Sequence, residues 1–215
     1  MLQLHNIRIL HRHVLLPSTF ISRSGCGISP EMPDLDATES HDISVIDSGR
    51  MALNTLPNNG IESTMYKPPS IDHLFPDPDE TIPVLLNIIS APSGNPRDNH
   101  WMLLWKIFNG QHLIIRRLQV VQEIGYDHLT NWGPLTVTAD DITKSSPHLS
   151  LGELTLSQRR VLEGIAQETP VMVPNGEWNC QNWVIDVLKE AVKQNLLDNE
   201  IVDKVLIVAS DIKAW

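Results

Sequence analysis

From residue 82 onward, apolar residues come in short runs, and their spacing changes from strand-like to helix-like near residue 155. Pro83-Val84-Leu85-Leu86-Asn87-Ile88-Ile89-Ser90 is a brief, almost unbroken apolar run, the pattern of a strand buried on both faces. Residues 100–108 and 111–121 form two further runs around Asn109-Gly110, a dipeptide that strongly favours a tight hairpin. Leu135-Thr136-Val137-Thr138 alternates and predicts a short strand, while the rest of residues 122–150 reads as loop. A helix follows over 158–167, with Thr155 or Ser157 as cap, Leu162, Ile165 and Ala166 on its buried face, and Pro170 ending it. Residues 170–173 read as an edge strand or extended lead-in, and Asn175-Gly176 as a turn. Beyond the turn, Cys180, Val184, Val187, Leu188 and Ala191 share one helical face, with Asn179 placed to cap the helix. Residues 201–212 predict a last amphipathic helix. Together these elements predict an α+β domain over residues 82–215, an antiparallel sheet with the cysteine-bearing helix packed on it.

The first 81 residues lack such periodicity. Residues 31–82 are rich in Pro, Asp, Ser and Asn, as in Phe75-Pro76-Asp77-Pro78-Asp79, a composition with too little apolar surface to offset the entropy of ordering. Residues 1–81 therefore read as a largely disordered acidic extension. Its first 30 residues carry Arg8, Arg12 and Arg23 and no acid, which gives a mitochondrial presequence as an alternative to a plain tail.

Charge and cysteine content narrow the function classes. A net charge of −10 over 215 residues argues against a nucleic-acid partner, which requires a basic face. No run approaches the length of a transmembrane helix. Cys26 and Cys180 form no close pair, so a reducing, cytoplasmic setting is the simpler expectation. The glycines form no phosphate-binding pattern, and no cofactor is expected. His100, His112 and Cys180 lack the close ligand pair of a zinc site, so no metal is expected either.

The chemistry concentrates on Glu177-Trp178-Asn179-Cys180-Gln181-Asn182-Trp183. A thiol in the first turn of a helix faces unpaired amides and the positive end of the helix dipole, and both favour the thiolate. The amides near Asn179 and Gln181 could also hold a developing oxyanion. A histidine would complete such a site as base and then acid, and His100 opens the first strand of the hairpin. Trp101 and Trp178 could wall an apolar cleft for a small-molecule or acyl substrate. The competing interpretation is an inert buried cysteine in a binding or scaffold domain.

His100-Trp101 opening a hairpin, His112 beyond its turn, and the later Asn179-Cys180-Gln181-x-Trp183-Val184 together carry a resemblance. They resemble the lecithin retinol acyltransferase family and its HRAS-like suppressor relatives, circularly permuted papain-like enzymes in which histidine precedes cysteine along the chain. The cysteine segment also resembles that of uncharacterised fungal proteins ending in an Asn-Cys-Gln-x-Trp helix. The resemblance covers residues 99–113 and 156–192. It implies a permuted papain-like fold, with Cys180 as nucleophile, His100 as general base and His112 as the orienting group. The implied activity is a cysteine-dependent hydrolase or acyltransferase working through a thioester, with a cysteine peptidase or isopeptidase sharing the same site. Gln181-Asn182-Trp183 stands where those proteins carry Glu-His-Phe, and they often have a membrane anchor after the domain.

Hairpin arithmetic leaves the orienting residue open. A two-residue turn at Asn109-Gly110 places His100 opposite Gln119 and puts His112 on the other face. A three-residue loop with a bulge restores the common face for His112 but keeps it well along the strand. A glutamine can hold an imidazole tautomer through a neutral hydrogen bond, so Gln119 competes for the role.

Overall fold

The structure, a computed structural model, describes residues 54–62 and 66–213. The expected disorder and presequence over the earlier residues lie outside this range, as does Cys26. Among the described residues seven strands form: β1 Ile82–Ile89, β2 His100–Asn109, β3 Leu113–Leu118, β4 Val120–Gln122, β5 Leu129–Asn131, β6 Leu135–Thr138 and β7 His148–Leu154. A short helix α1 spans Asp141–Ser145, followed by α2 Leu156–Glu168, α3 Cys180–Lys193 and α4 Asn199–Asp211. Five of the strands form one sheet in the order β6-β3-β2-β1-β7, and every pairing in it is antiparallel. β4 and β5 pair separately. The α+β class, the antiparallel sheet and the packed cysteine helix are thus present. No helix among the described residues is long and apolar enough to cross a membrane.

Alternation along β2 sends Trp101, Leu103 and Trp105 to one face of the sheet, where Trp183, Val184, Val187, Leu188 and Ala191 of α3 meet them in the main core. All of these α3 side chains are fully buried, and each contributes about 1.5–3 kcal/mol of burial if of Val or Leu size. The opposite face holds Met102, Leu104, Ile115 and Trp132 in a smaller core. α3 therefore lies across the sheet with its first residue, Cys180, brought to the end of β2 where His100 sits.

Three expectations need correction. The hairpin closes at Asn109–Leu113, leaving Gly110, Gln111 and His112 as a three-residue loop, and a bulge between Lys106 and Phe108 shifts the register. Leu103 then faces Leu118, so the two-residue turn at Asn109-Gly110 is not the one formed. Outside β6 the span 122–150 is not all loop: it holds β5, α1 and the start of β7, which completes the sheet beside β1, with Gly152 at φ +118 next to the register break between Val84 and Leu85. Finally, residues 54–81 do not stand outside the domain where they are described. Thr55 bridges Met172, the Leu56 amide donates to the Val171 carbonyl at 2.7 Å, and Asp77 is buried against Arg159. Residues 171–173, the lead-in to the cysteine segment, are thereby held by an isolated bridge to residues 54–56 far upstream.

Candidate functional site

Asn179 caps α3 with extended backbone dihedrals, its side chain accepting from the Gln181 amide at 3.0 Å, while Asn182 returns a hydrogen bond to the Asn179 amide. This capping box starts the helix at Cys180 and leaves the Cys180 amide with no acceptor among the described residues. Opposite it, the loop before β2 passes through a 3-10 turn at Pro96–Asp98, begun by Asn95, and reaches His100 by way of the buried Asn99. Cys180 and His100 are both half-buried, and their side chains lie close enough that each shifts the other's titration. The thiol also lies 3.8 Å from the Asn99 carbonyl oxygen.

On its far side the His100 ring meets Gln119, Nε2 to Oε1 at 3.1 Å. An amide oxygen only accepts, so Nε2 carries the proton and Nδ1 is left to face the thiol. Gln119 is buried, in the one-residue gap between β3 and β4. Its contact within the cluster is with the His100 ring.

The electrostatics follow from this placement. Burial pushes the Cys180 thiol up, but the His100 charge, its hydrogen bond and the amides of Trp101 and Gln181 outweigh it, and the thiol titrates below its ordinary range. Burial pushes His100 down, but the Cys180 charge and hydrogen bonds to Cys180 and Gln119 outweigh it, and the imidazole is raised despite the opposing charge of Arg117. The two shifts have one cause, mutual stabilisation of thiolate and imidazolium.

Not every expected residue joins this cluster. His112 is exposed in the hairpin loop, and the length of β2 places it about 30 Å from His100, too far to orient its ring or share a metal with it. Trp101 is only 2% exposed and belongs to the core, so it cannot wall an open cleft. Trp178 is half-buried and packs on the main core next to the start of α3, which leaves it as the aromatic residue at the rim. Neither Asn179 nor Gln181 offers a side chain to an oxyanion. Asn179 Nδ2 donates to the Arg97 carbonyl at 3.0 Å, and Gln181 Nε2 donates to the carbonyls of Pro96 at 2.8 Å and Asn99 at 3.0 Å. The donor that remains is the Cys180 amide itself. Among the described residues no group of three His, Cys, Asp or Glu side chains is placed to hold a metal ion.

Arg97 was not singled out from the sequence, where an arginine in a Pro/Asn/Asp loop carries no signal. Its Nη2 donates to the Glu177 carbonyl and to Asn182 Oδ1, both at 2.7 Å, tying the histidine loop to the cysteine loop. The absence of a histidine after Cys180 has a counterpart here: Asn182 fills that position and serves the cap.

Gln119→Ala is expected to slow Cys180 alkylation at pH 6 by about three- to tenfold, less than loss of the imidazole itself, through a misplaced ring. The check is the pH profile of iodoacetamide labelling. A merely structural Gln119 would lower the melting temperature and leave that profile in place.

Family models, curated proteins and solved structures give no match to the chain.

Proposed function

We propose that the chain is a cysteine-dependent acyl hydrolase or acyltransferase, with Cys180 as nucleophile and His100 as general base and acid. The observation that carries this reading is the juxtaposition of Cys180, at a capped helix start and 3.8 Å from the Asn99 carbonyl, with His100, the next residue, whose ring is held from behind by Gln119 at 3.1 Å. The order of His100 before Cys180 on a strand-then-helix arrangement supports a permuted papain-like relationship of the lecithin retinol acyltransferase type. Gln119 stands in this reading where sequence resemblance alone suggests His112.

The thiolate sulfur bonds to the carbonyl carbon of an ester or amide, and the carbonyl electron pair moves onto oxygen beside the Cys180 amide. As the pair returns, the bond to the leaving group breaks, and the imidazolium gives its proton to that group. The thioester then passes its acyl group to water or another acceptor, which loses its proton to His100, and the thiolate is restored. No cofactor enters these steps.

p-Nitrophenyl acetate tests the reading. The expected result at pH 7 is a burst of p-nitrophenolate, with one acetyl group recovered on the peptide containing Cys180 and released by hydroxylamine. The His100→Ala variant should lose the burst. Acetylation of Cys180 at the rate of a free thiol, unchanged by His100→Ala, would instead leave an inert cysteine in a binding or scaffold domain.

A further inference from the structure

Cys180 and His100 lie on separate elements joined only through space, so something must fix their separation. The Asn99–His100 peptide unit is the common reference. The Asn99 carbonyl oxygen lies 3.8 Å from the Cys180 sulfur and accepts from Gln181 Nε2 at 3.0 Å. Gln181 directly follows the cysteine, and Asn99 directly precedes the histidine. The second Gln181 N–H reaches the Pro96 carbonyl at 2.8 Å, so the amide spans both ends of the turn that delivers His100. Its oxygen accepts from Arg97 Nη1 at 3.4 Å. Gln181 is 5% exposed, and Asn99 is held in turn through Ala91, whose amide donates to Asn99 Oδ1 at 3.0 Å, and through the Ile212 carbonyl at 2.8 Å.

We propose that Gln181 is a positioning residue that sets the Cys180–His100 contact, with Arg97 bracing it from the solvent side. The proposal rests on the assignment of Cys180 as an activated nucleophile. The chemistry requires an amide at this position, because both partners are carbonyl oxygens and only a donor pair satisfies them. An ionised glutamate, the residue type at this place in the acyltransferases the segment resembles, would face two acceptors with no proton to share. Arg97 adds bonds to Glu177, before the cysteine, and to Asn182, after it, so the histidine loop is gripped on both sides of Cys180.

The test uses the full chain and the pH profile of Cys180 alkylation by iodoacetamide. Gln181→Met keeps the length and removes both donors. The expected result is a half-maximal pH raised by one unit or more, about a tenfold loss of thiolate at a fixed lower pH. Arg97→Met should move the profile the same way by less. If Gln181→Met does not fold, Gln181→Asn carries the test, since it keeps an amide on a stem too short to reach both carbonyls. A lowered melting temperature with an unmoved profile overturns the proposal. An ordinary thiol profile in the unaltered protein overturns the nucleophile assignment itself, and the two failures are thereby distinguished.

Discussion

His100→Ala is expected to slow iodoacetamide labelling of Cys180 sharply at pH 6 and hardly at all at pH 9. Without the imidazolium the thiol keeps its burial and loses its main compensation, so its pKa returns to about 8.5 or above. At pH 6 the thiolate fraction is then about 0.3%. A thiol of higher pKa is intrinsically more nucleophilic, with a Brønsted slope of about 0.4–0.5, which recovers part of that loss. The net expectation is a fall of up to about thirtyfold at pH 6, the limit for a native thiol fully ionised there. The sign of the linkage sets the window. The depressed thiol pKa matters below the ordinary thiol range and vanishes above it, so the two profiles must converge at high pH. A loss of equal size at both pH values would mean that the variant is damaged elsewhere and that His100 does not activate the thiol.

Arg159→Leu is expected to cost about 3–5 kcal/mol of stability, the size typical of breaking a buried ion pair from one side. The Arg159–Asp77 side chains are both fully buried, with Nη2 to Oδ1 at 2.9 Å. The guanidinium also donates to the carbonyls of Glu80, Leu154 and Pro78, and Asp77 accepts from Trp105 Nε1 at 3.0 Å. Removing the arginine leaves a carboxylate in the core with one indole as donor, and three carbonyls without theirs. For a domain of this size the melting temperature should fall by roughly 6–20 °C. The double variant Asp77→Leu/Arg159→Leu should be less destabilised than Arg159→Leu alone, because the stranded charge is gone. Equal losses would show that packing volume, and not the unpaired carboxylate, carries the cost.

The same pair shows what the sequence could and could not reveal. Runs with clear periods appear as elements of the expected type: β1, the β2–β3 hairpin, β6, α2, α3 and α4. Asp77, within Phe75-Pro76-Asp77-Pro78-Asp79, looked like part of an acidic, loosely held stretch because its partner is 82 residues away. Local composition contains no trace of Arg159. β7 is hidden for a local reason: the alternation of Leu149-Ser150-Leu151-Gly152 falls out of phase at Glu153-Leu154, and Gly152 adopts a positive φ beside a bulge. At the site, Cys180 could be read from its Asn cap and apolar stripe, and both signals are local. Gln119 meets His100, but not through the register that suggested it. A two-residue turn would pair them directly, whereas the bulge and three-residue loop end the ladder at Leu118 and the side chains meet beyond it. Arg97 and the roles of Gln181 and Asn99 depend entirely on contacts across the fold.

Those long separations also bear on how the protein reaches its native state. The groups around Cys180 come from residues 91, 96–100, 119, 177–182 and 212, and the Asn99–Ile212 bond alone closes a loop of 113 residues. Contacts so distant in the chain form only after their loops close, which is the slow part of assembling an antiparallel sheet with helices laid across it. A chain with the hairpin formed but α3 and α4 not yet docked carries an ordinary thiol. Low-pH labelling of Cys180 therefore reports the docking of the cysteine helix beside His100, whenever in folding that occurs.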